Sequence, residues 1–380
     1  MAKSEFDPWT STFLLGGPVK LHPRIERAMA VPSLNHRGEY FHDVTKDIKK
    51  LLPLIFGTKG HQAVITGSGT AGLEAMVSGL VGKEDRVVVL TNGHFGNRLE
   101  QIAKIFAKPV VVKAPWGQPF ETEQVKAALE GGKTRALLCV YNETSVGFTN
   151  DIARFGPLAR EKGALFLVDA ISALPGLPTP LEDWCVDAMV VGSQKGLGAP
   201  PGLALVHVAD RAFGSIRPQT YANDLAAHFK SIEKDDTPWT PAVPIFLALH
   251  EALKILEEEG VAKRQERTRL LARATRNAIK AMGLSLFPSE QFASDTVTAI
   301  RYPEGVEDSA FRAALRERHN VVVSGGQGEA KGTIFRIGHM GIADWPDLLV
   351  TFAALERVLS KHGRLPAPGA SLSAIVERMP

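Results

Sequence analysis

Short β-branched apolar runs alternate with helix-patterned segments through the first half of this 380-residue chain, and that alternation restricts the fold more than any other feature. The runs fall at 63–66, 86–91, 109–113, 135–141, 164–169, 187–192 and 203–208, and helical patterns lie between them at 69–79, 97–106, 122–129 and 152–162. Strands that read as continuous apolar stretches are buried on both faces, which requires helices above and below a mostly parallel sheet. The expected class is therefore α/β.

Beyond residue 208 the pattern changes. Residues 216–244 read as irregular and polar, and 245–282 as one long helix whose charged runs, such as Glu257, Glu258 and Glu259, form a solvated face. Strand-like 295–301, helix-like 309–317, strand-like 320–323 and 333–337 and a closing helix over 345–361 then give a second βαββα unit, with a short Pro-containing tail at 364–380. A chain of this length exceeds one ordinary core. The expected division is an N-terminal arm at 1–15, a large domain at 16–255 and a smaller α+β domain at 256–380.

Charge narrows the partners. Lys and Arg number 44 against 41 Asp and Glu, a net +3 that offers no electrostatic case for nucleic acid or an anionic membrane. No apolar run approaches the roughly 20 residues of a membrane helix. The opening residues lack a basic segment followed by an apolar stretch, so the expected location is cytoplasmic. Cys139 and Cys185 have no CxxC spacing, which argues against both a disulfide framework and a zinc site.

The chemistry gathers where the strands end. Lys195 follows the apolar run at 188–192 within Ser193-Gln194-Lys195-Gly196, and Asp169 closes the run at 164–168. A lysine in a turn is usually a solvated charge and a strand-end aspartate a cap; together at one sheet edge they suit pyridoxal phosphate (PLP), the lysine forming a Schiff base and the carboxylate partnering the pyridinium nitrogen. Gly67-Ser68-Gly69-Thr70-Ala71-Gly72 fits a dinucleotide GxGxxG pattern, but the next strand ends Leu90-Thr91-Asn92 without the acid that a ribose needs. A single phosphate at a helix N-terminus is the better reading. Phe95 either stacks on a flat ring or fills core, and Thr144 either bonds that ring or fixes its turn. Arg336 is a charge inside an apolar strand, suited to gripping a substrate carboxylate or, more plainly, to pairing with a nearby glutamate.

Taken in order, these motifs resemble the class V aminotransferases of PLP fold type I, in particular the alanine–glyoxylate and serine–pyruvate (serine–glyoxylate) branch. The resemblance runs from Leu14-Leu15-Gly16-Gly17-Pro18-Val19 and Asn35-His36-Arg37-Gly38-Glu39 through the motifs above to Ala199-Pro200-Pro201-Gly202 and Phe335-Arg336-Ile337-Gly338. It implies a large domain built on a mostly parallel seven-stranded sheet, with a smaller C-terminal domain. It also implies that Lys195 carries PLP and Asp169 partners its nitrogen, that Ser68, Gly69, Thr70 and Gln194 hold the phosphate, that Phe95 stacks, that Thr144 bonds the phenolic oxygen and that Ile171 packs on the ring. Gly17 belongs to the substrate loop and Arg336 binds the substrate carboxylate. Thr237 and Thr240 would reach the phosphate of a neighbouring subunit, making a homodimer with shared active sites.

The implied activity is ping-pong transfer of an amino group from alanine or serine to glyoxylate or pyruvate. Gly16-Gly17-Pro18, Phe95 and Thr237 depart from the best-known alanine–glyoxylate enzymes and bear on substrate preference. Rival readings are an aminotransferase for aspartate, phosphoserine or aminoethylphosphonate, and a PLP lyase such as a cysteine desulfurase.

Overall fold

A computed structural model describes residues 7, 9–361 and 367–380. The opening of the expected arm and the first residues of the expected tail lie outside the described residues. The strands, in chain order, are β1 (Thr12–Leu14), β2 (His61–Thr66), β3 (Arg86–Thr91), β4 (Lys108–Lys113), β5 (Ala136–Val140), β6 (Asn142–Glu143), β7 (Phe148–Thr149), β8 (Leu165–Asp169), β9 (Ala188–Gly192), β10 (Leu203–Val208), β11 (Val297–Arg301), β12 (Val321–Gly325) and β13 (Ile334–Gly338).

Seven of them form one sheet in the order β2-β10-β9-β8-β5-β3-β4. Only β10 runs against its neighbours, pairing antiparallel with β2 and β9; the pairs from β9 through β4 are parallel. Strands β5, β8, β9 and β10 are buried along their whole length, as their continuous apolar sequences require. Helix Gly69–Leu80 packs on β9 and β10, and helix His94–Phe106 on β3.

A second sheet has the order β1-β12-β13-β11. Residues of the expected arm contribute β1, which lies parallel to β12 with Thr12 opposite Val321. Leu14 joins the apolar cluster of this unit with Phe311, Phe335, Phe352 and Leu355.

Two expectations are corrected, and the tail gains a helix. The long helix over 245–282 is two helices, Val243–Glu259 and Val261–Ala281, because Gly260 takes φ +83°, outside helical space. Glu259 then reaches across the break to Arg264 and Arg267. The irregular stretch contains helix Leu225–Ile232, capped by Asp224 accepting from the Ala226 N–H at 2.9 Å. The tail contains helix Ala370–Val376, fastened by Glu356 accepting from Gly369 N and Ser371 N. Both helices are too short to establish a period in sequence. Among the described residues no helix is long and apolar enough to cross a membrane.

Candidate active site

β10 opposes both β9 and β2, so β2, β3, β5, β8 and β9 all point one way and end at a single sheet edge. In open α/β sheets ligands bind at this edge, where loops and helix N-termini converge. Each strand delivers a piece: β2 leads to Ser68, Gly69 and Thr70, β3 to Phe95, β5 to Thr144, β8 ends on Asp169, and β9 leads to Gln194 and Lys195. These residues, with Gly17 and Ile171, line one pocket.

Lys195 is the pivot. Its side chain is buried and Nζ donates to the Gly16 carbonyl oxygen at 2.5 Å. A Cβ on Gly17 would run into the Lys195 side chain and come within 2.7 Å of Nζ, and Gly17 has φ +99°, so glycine is needed there for space and for backbone conformation alike. Burial pushes the Lys195 amine down to about 8; the Arg336 charge adds to the drop and Asp169 opposes it. Burial drives Asp169 the other way, up to about 7, against the Ile171 N–H that donates to its Oδ1 at 2.9 Å. Both charged forms are thus held at a cost, which a cation bound beside Asp169 would relieve on the carboxylate side.

The start of helix Gly69–Leu80 has the makings of an anion cradle. Among the described residues no acceptor meets the N–H groups of Gly69 and Thr70, and the Ser68 hydroxyl makes no capping bond. Gln194 lines the same pocket; its Oε1, an acceptor, is buried without a partner. A Cβ on Gly69 would stand 2.6 Å from Ile171 Cδ1, so the helix start and Ile171 are in close approach. Unmet donors at a positive helix end, a neutral-to-anionic carboxylate and an amine of lowered basicity fit PLP. Ser68, Gly69, Thr70 and Gln194 would hold its phosphate, Asp169 its ring nitrogen and Lys195 its aldehyde carbon.

Arg336 sits in the middle of β13, opposite Ala299 and Ser324, and is buried. It does not line the pocket. Its Nη1 donates to the Thr144 carbonyl at 2.9 Å, while Nε and Nη2 donate to the Gly325 carbonyl at 3.0 and 2.7 Å. The small sheet is thereby tied to the loop after β5. Burial lowers the guanidinium to about 10. Thr237 and Thr240 also lie outside this pocket; Thr237 Oγ1 donates to the Trp239 carbonyl at 2.9 Å, and the Thr237 carbonyl accepts from Arg37 Nη1 at 2.5 Å.

Four residues at the site escaped the sequence reading. Asn142 and Ser172 line the pocket, joined by Asn142 Nδ2 donating to Ser172 Oγ at 2.8 Å, and the Ser172 hydroxyl also bonds that of Thr144. Glu143 is fully buried and accepts from Phe95 N at 3.1 Å, Gly96 N at 2.9 Å and the Ser145 hydroxyl. Burial raises its carboxyl, and those donors hold the rise in check. It therefore caps helix His94–Phe106 and orients Phe95. Arg98 lines the pocket one turn beyond Phe95, its guanidinium 4.8 Å from the Phe95 ring centre. Starting that helix at 97 hid the pair, since only a start at His94 puts 95 and 98 on one helical face.

Comparison with known proteins gives the family. The family described as aminotransferase class-V matches residues 25–341. The chain is 37% identical over 366 residues to an uncharacterized aminotransferase of Methanocaldococcus jannaschii, covering 94% of this chain and 95% of that one. It is 32% identical over 383 residues to the serine–glyoxylate aminotransferase of Methylorubrum extorquens, covering 97% and 95%. The crystal structure of ureidoglycine–glyoxylate aminotransferase from Bacillus subtilis matches with a TM-score of 0.93 at 29% identity, over 98% of this chain and 99% of that one. A family match over residues 25–341, with relatives that cover nearly the whole chain, means that this protein belongs to the class V aminotransferases and works with pyridoxal phosphate.

Proposed function

We propose that the enzyme moves the amino group of alanine or serine to a small 2-oxo acid, glyoxylate or pyruvate, in two half-reactions. The observation that carries this reading is the pairing of Lys195 and Asp169 in one pocket with Arg336 buried behind Thr144. Two of the relatives named above have glyoxylate in their names, which supports that acceptor.

Pyridoxal phosphate, when bound, supplies an aldehyde that condenses with amines and a pyridinium ring that withdraws electrons from the bond being broken. The chain's own residues do the rest. Asp169 keeps a positive ring nitrogen protonated, and that charge brings the carboxyl back below its raised value. Lys195 Nζ, with its lowered basicity, would take the proton from the α-carbon of the amino acid as general base and, as general acid, deliver it to the carbon that was the cofactor's aldehyde. Arg336 exchanges one of its carbonyl partners for the substrate carboxylate, a bidentate grip that turns the α-hydrogen toward Lys195. Gly17 leaves room for that swing.

The set of roles assigned to Ser68, Gly69, Thr70, Phe95, Thr144, Ile171 and Gln194 belongs to the same proposal. So does a homodimer in the cytoplasm in which Thr237 and Thr240 serve the phosphate site of a second copy. The position of both threonines away from their own pocket supports that reading, as does the exposed Tyr221 stacked 4.3 Å from Trp239 beside them. The division at 1–15, 16–255 and 256–380 is supported by the two larger apolar clusters, one running from Ile25 to Leu256 and the other from Leu271 onward with Leu14, while a third, of Val146, Phe148, Ala299, Ala330 and Ile334, packs the two units together.

A desulfurase needs a mobile nucleophilic cysteine. Cys139 is buried in β5, where burial raises its thiol, and neither cysteine lines the pocket. The deciding experiment mixes the PLP-loaded enzyme with single amino acids and follows the visible absorbance together with the oxo acid released. Alanine and serine should bleach the band and yield stoichiometric oxo acid, and glyoxylate or pyruvate should restore it. A response confined to aspartate or phosphoserine, or sulfide release from cysteine, would overturn the reading.

A further inference from the structure

Arg98 is a cation in the pocket with almost nothing to hold. A guanidinium has five N–H donors, yet the contacts of Arg98 are one long bond from Nη1 to Thr70 Oγ1 at 3.4 Å and the face of Phe95. Among the described residues it has no carboxylate partner, whereas Arg24, Arg211, Arg264, Arg267, Arg276 and Arg312 are each paired with one. Its field is felt across the site, where it lowers the basicity of His94 and Lys195. The Thr70 contact sets it beside the unmet N–H groups of Gly69 and Thr70.

Charge decides what this arrangement suits. A phosphate monoester carries close to two negative charges at neutral pH, and a helix N-terminus supplies the equivalent of only about +0.5. The cradle formed by Ser68, Gly69 and Thr70 therefore leaves most of the phosphate charge unbalanced within this chain, and Arg98 is the pocket cation that adjoins it. We propose that Arg98 is a ligand of the cofactor phosphate, its guanidinium completing the site begun by the helix end while its flat face stays against Phe95. The inference rests on the cofactor and not on the amino-acid pair proposed above.

The test compares two aldehydes that differ only in the phosphate. Cofactor-free wild type, Arg98→Ala and Arg98→Lys are titrated with pyridoxal phosphate and with pyridoxal, following absorbance and protein fluorescence, with no amino acid present. Failure here is thus separate from failure of the substrate assignment. Removal of the guanidinium should weaken pyridoxal phosphate roughly 10- to 100-fold, the scale of a hydrogen bond to a charged group, and leave pyridoxal within about twofold. Lysine should recover part of the loss, and inorganic phosphate should compete with the cofactor on wild type at lower concentration than on Arg98→Ala. Equal losses for both aldehydes would mean that Arg98 acts on the ring through Phe95, and unchanged binding of both would mean that it serves no cofactor role; either result overturns the proposal. Should Arg98→Ala not fold, the Arg98→Lys titrations and the phosphate competition on wild type carry the same decision.

Discussion

The edge of the large sheet and the middle of the small one treat buried polar groups in opposite ways. At the edge, the buried Gln194 Oε1 lacks a partner, the N–H groups of Gly69 and the half-buried Thr70 meet no acceptor among the described residues, and Asp169 accepts one main-chain N–H. In β13, by contrast, Arg336 makes three hydrogen bonds to the carbonyls of Thr144 and Gly325. Buried groups without partners are costly, so the edge is poised for a permanent ligand, whereas the small sheet is complete and must give up a bond to take one. On the proposed reading the first half of the site holds a cofactor that stays, and the second takes a substrate that comes and goes.

The harshest way to break this contrast is to empty the edge of its amine. Lys195→Ala should lower turnover roughly 10,000-fold or more and abolish the visible band of the bound cofactor; a variant that still turns over rapidly would remove Lys195 from the mechanism. Asp169→Asn should lower turnover roughly 100- to 1,000-fold by removing an electrostatic partner. The same change should do the reverse to the cofactor-free protein. Burial holds Asp169 up at about 7 in the fold, against about 4 when unfolded, so the folded chain binds that proton more tightly and the residue's stability contribution is lost as pH rises between those values. Thermal melts should show the asparagine variant gaining on wild type over that interval and holding a constant lead above it; a gain at acid pH instead would contradict the burial argument.

Arg336→Ala sharpens the other side. It should raise KM for the amino acid roughly 10- to 100-fold while cofactor affinity, measured by titration, changes by less than about twofold; a comparable loss of cofactor would show that the two halves are not separable. The mildest test is pH alone. With its amine near 8, the neutral fraction of Lys195 rises about tenfold between pH 7 and 9, so the rate of cofactor capture by the empty enzyme should climb over that interval and then level. An ordinary lysine would still be climbing past pH 10.

Much of the large sheet is legible in the order of residues, because parallel strands buried on both faces leave uninterrupted apolar runs. Asp169 and Lys195 are legible for the related reason that a charge at the end of such a run has few bland explanations. Glu143 is not, since its carboxylate acquires meaning only when the loop after β5 meets the first turn of helix His94–Phe106. Ser172 and Asn142 are hidden likewise, by a contact between residues 30 apart. The break at Gly260 leaves a trace, a glycine within a helical pattern, but an isolated glycine is tolerated in helices and only its φ decides.

By itself, then, the sequence determined the α/β class, the strand ends that bear the amine and the carboxylate, and the helix start that suits a phosphate, because each follows from local periodicity and from the scarcity of unpartnered charge in apolar strands. Which groups end up satisfied was decided by tertiary structure alone. Whether Arg336 reaches a substrate or a carbonyl, whether Arg98 finds a carboxylate and how far Lys195 loses basicity all depend on distances between segments remote in the chain, and hydrogen bonds and desolvation are set by those distances rather than by residue type.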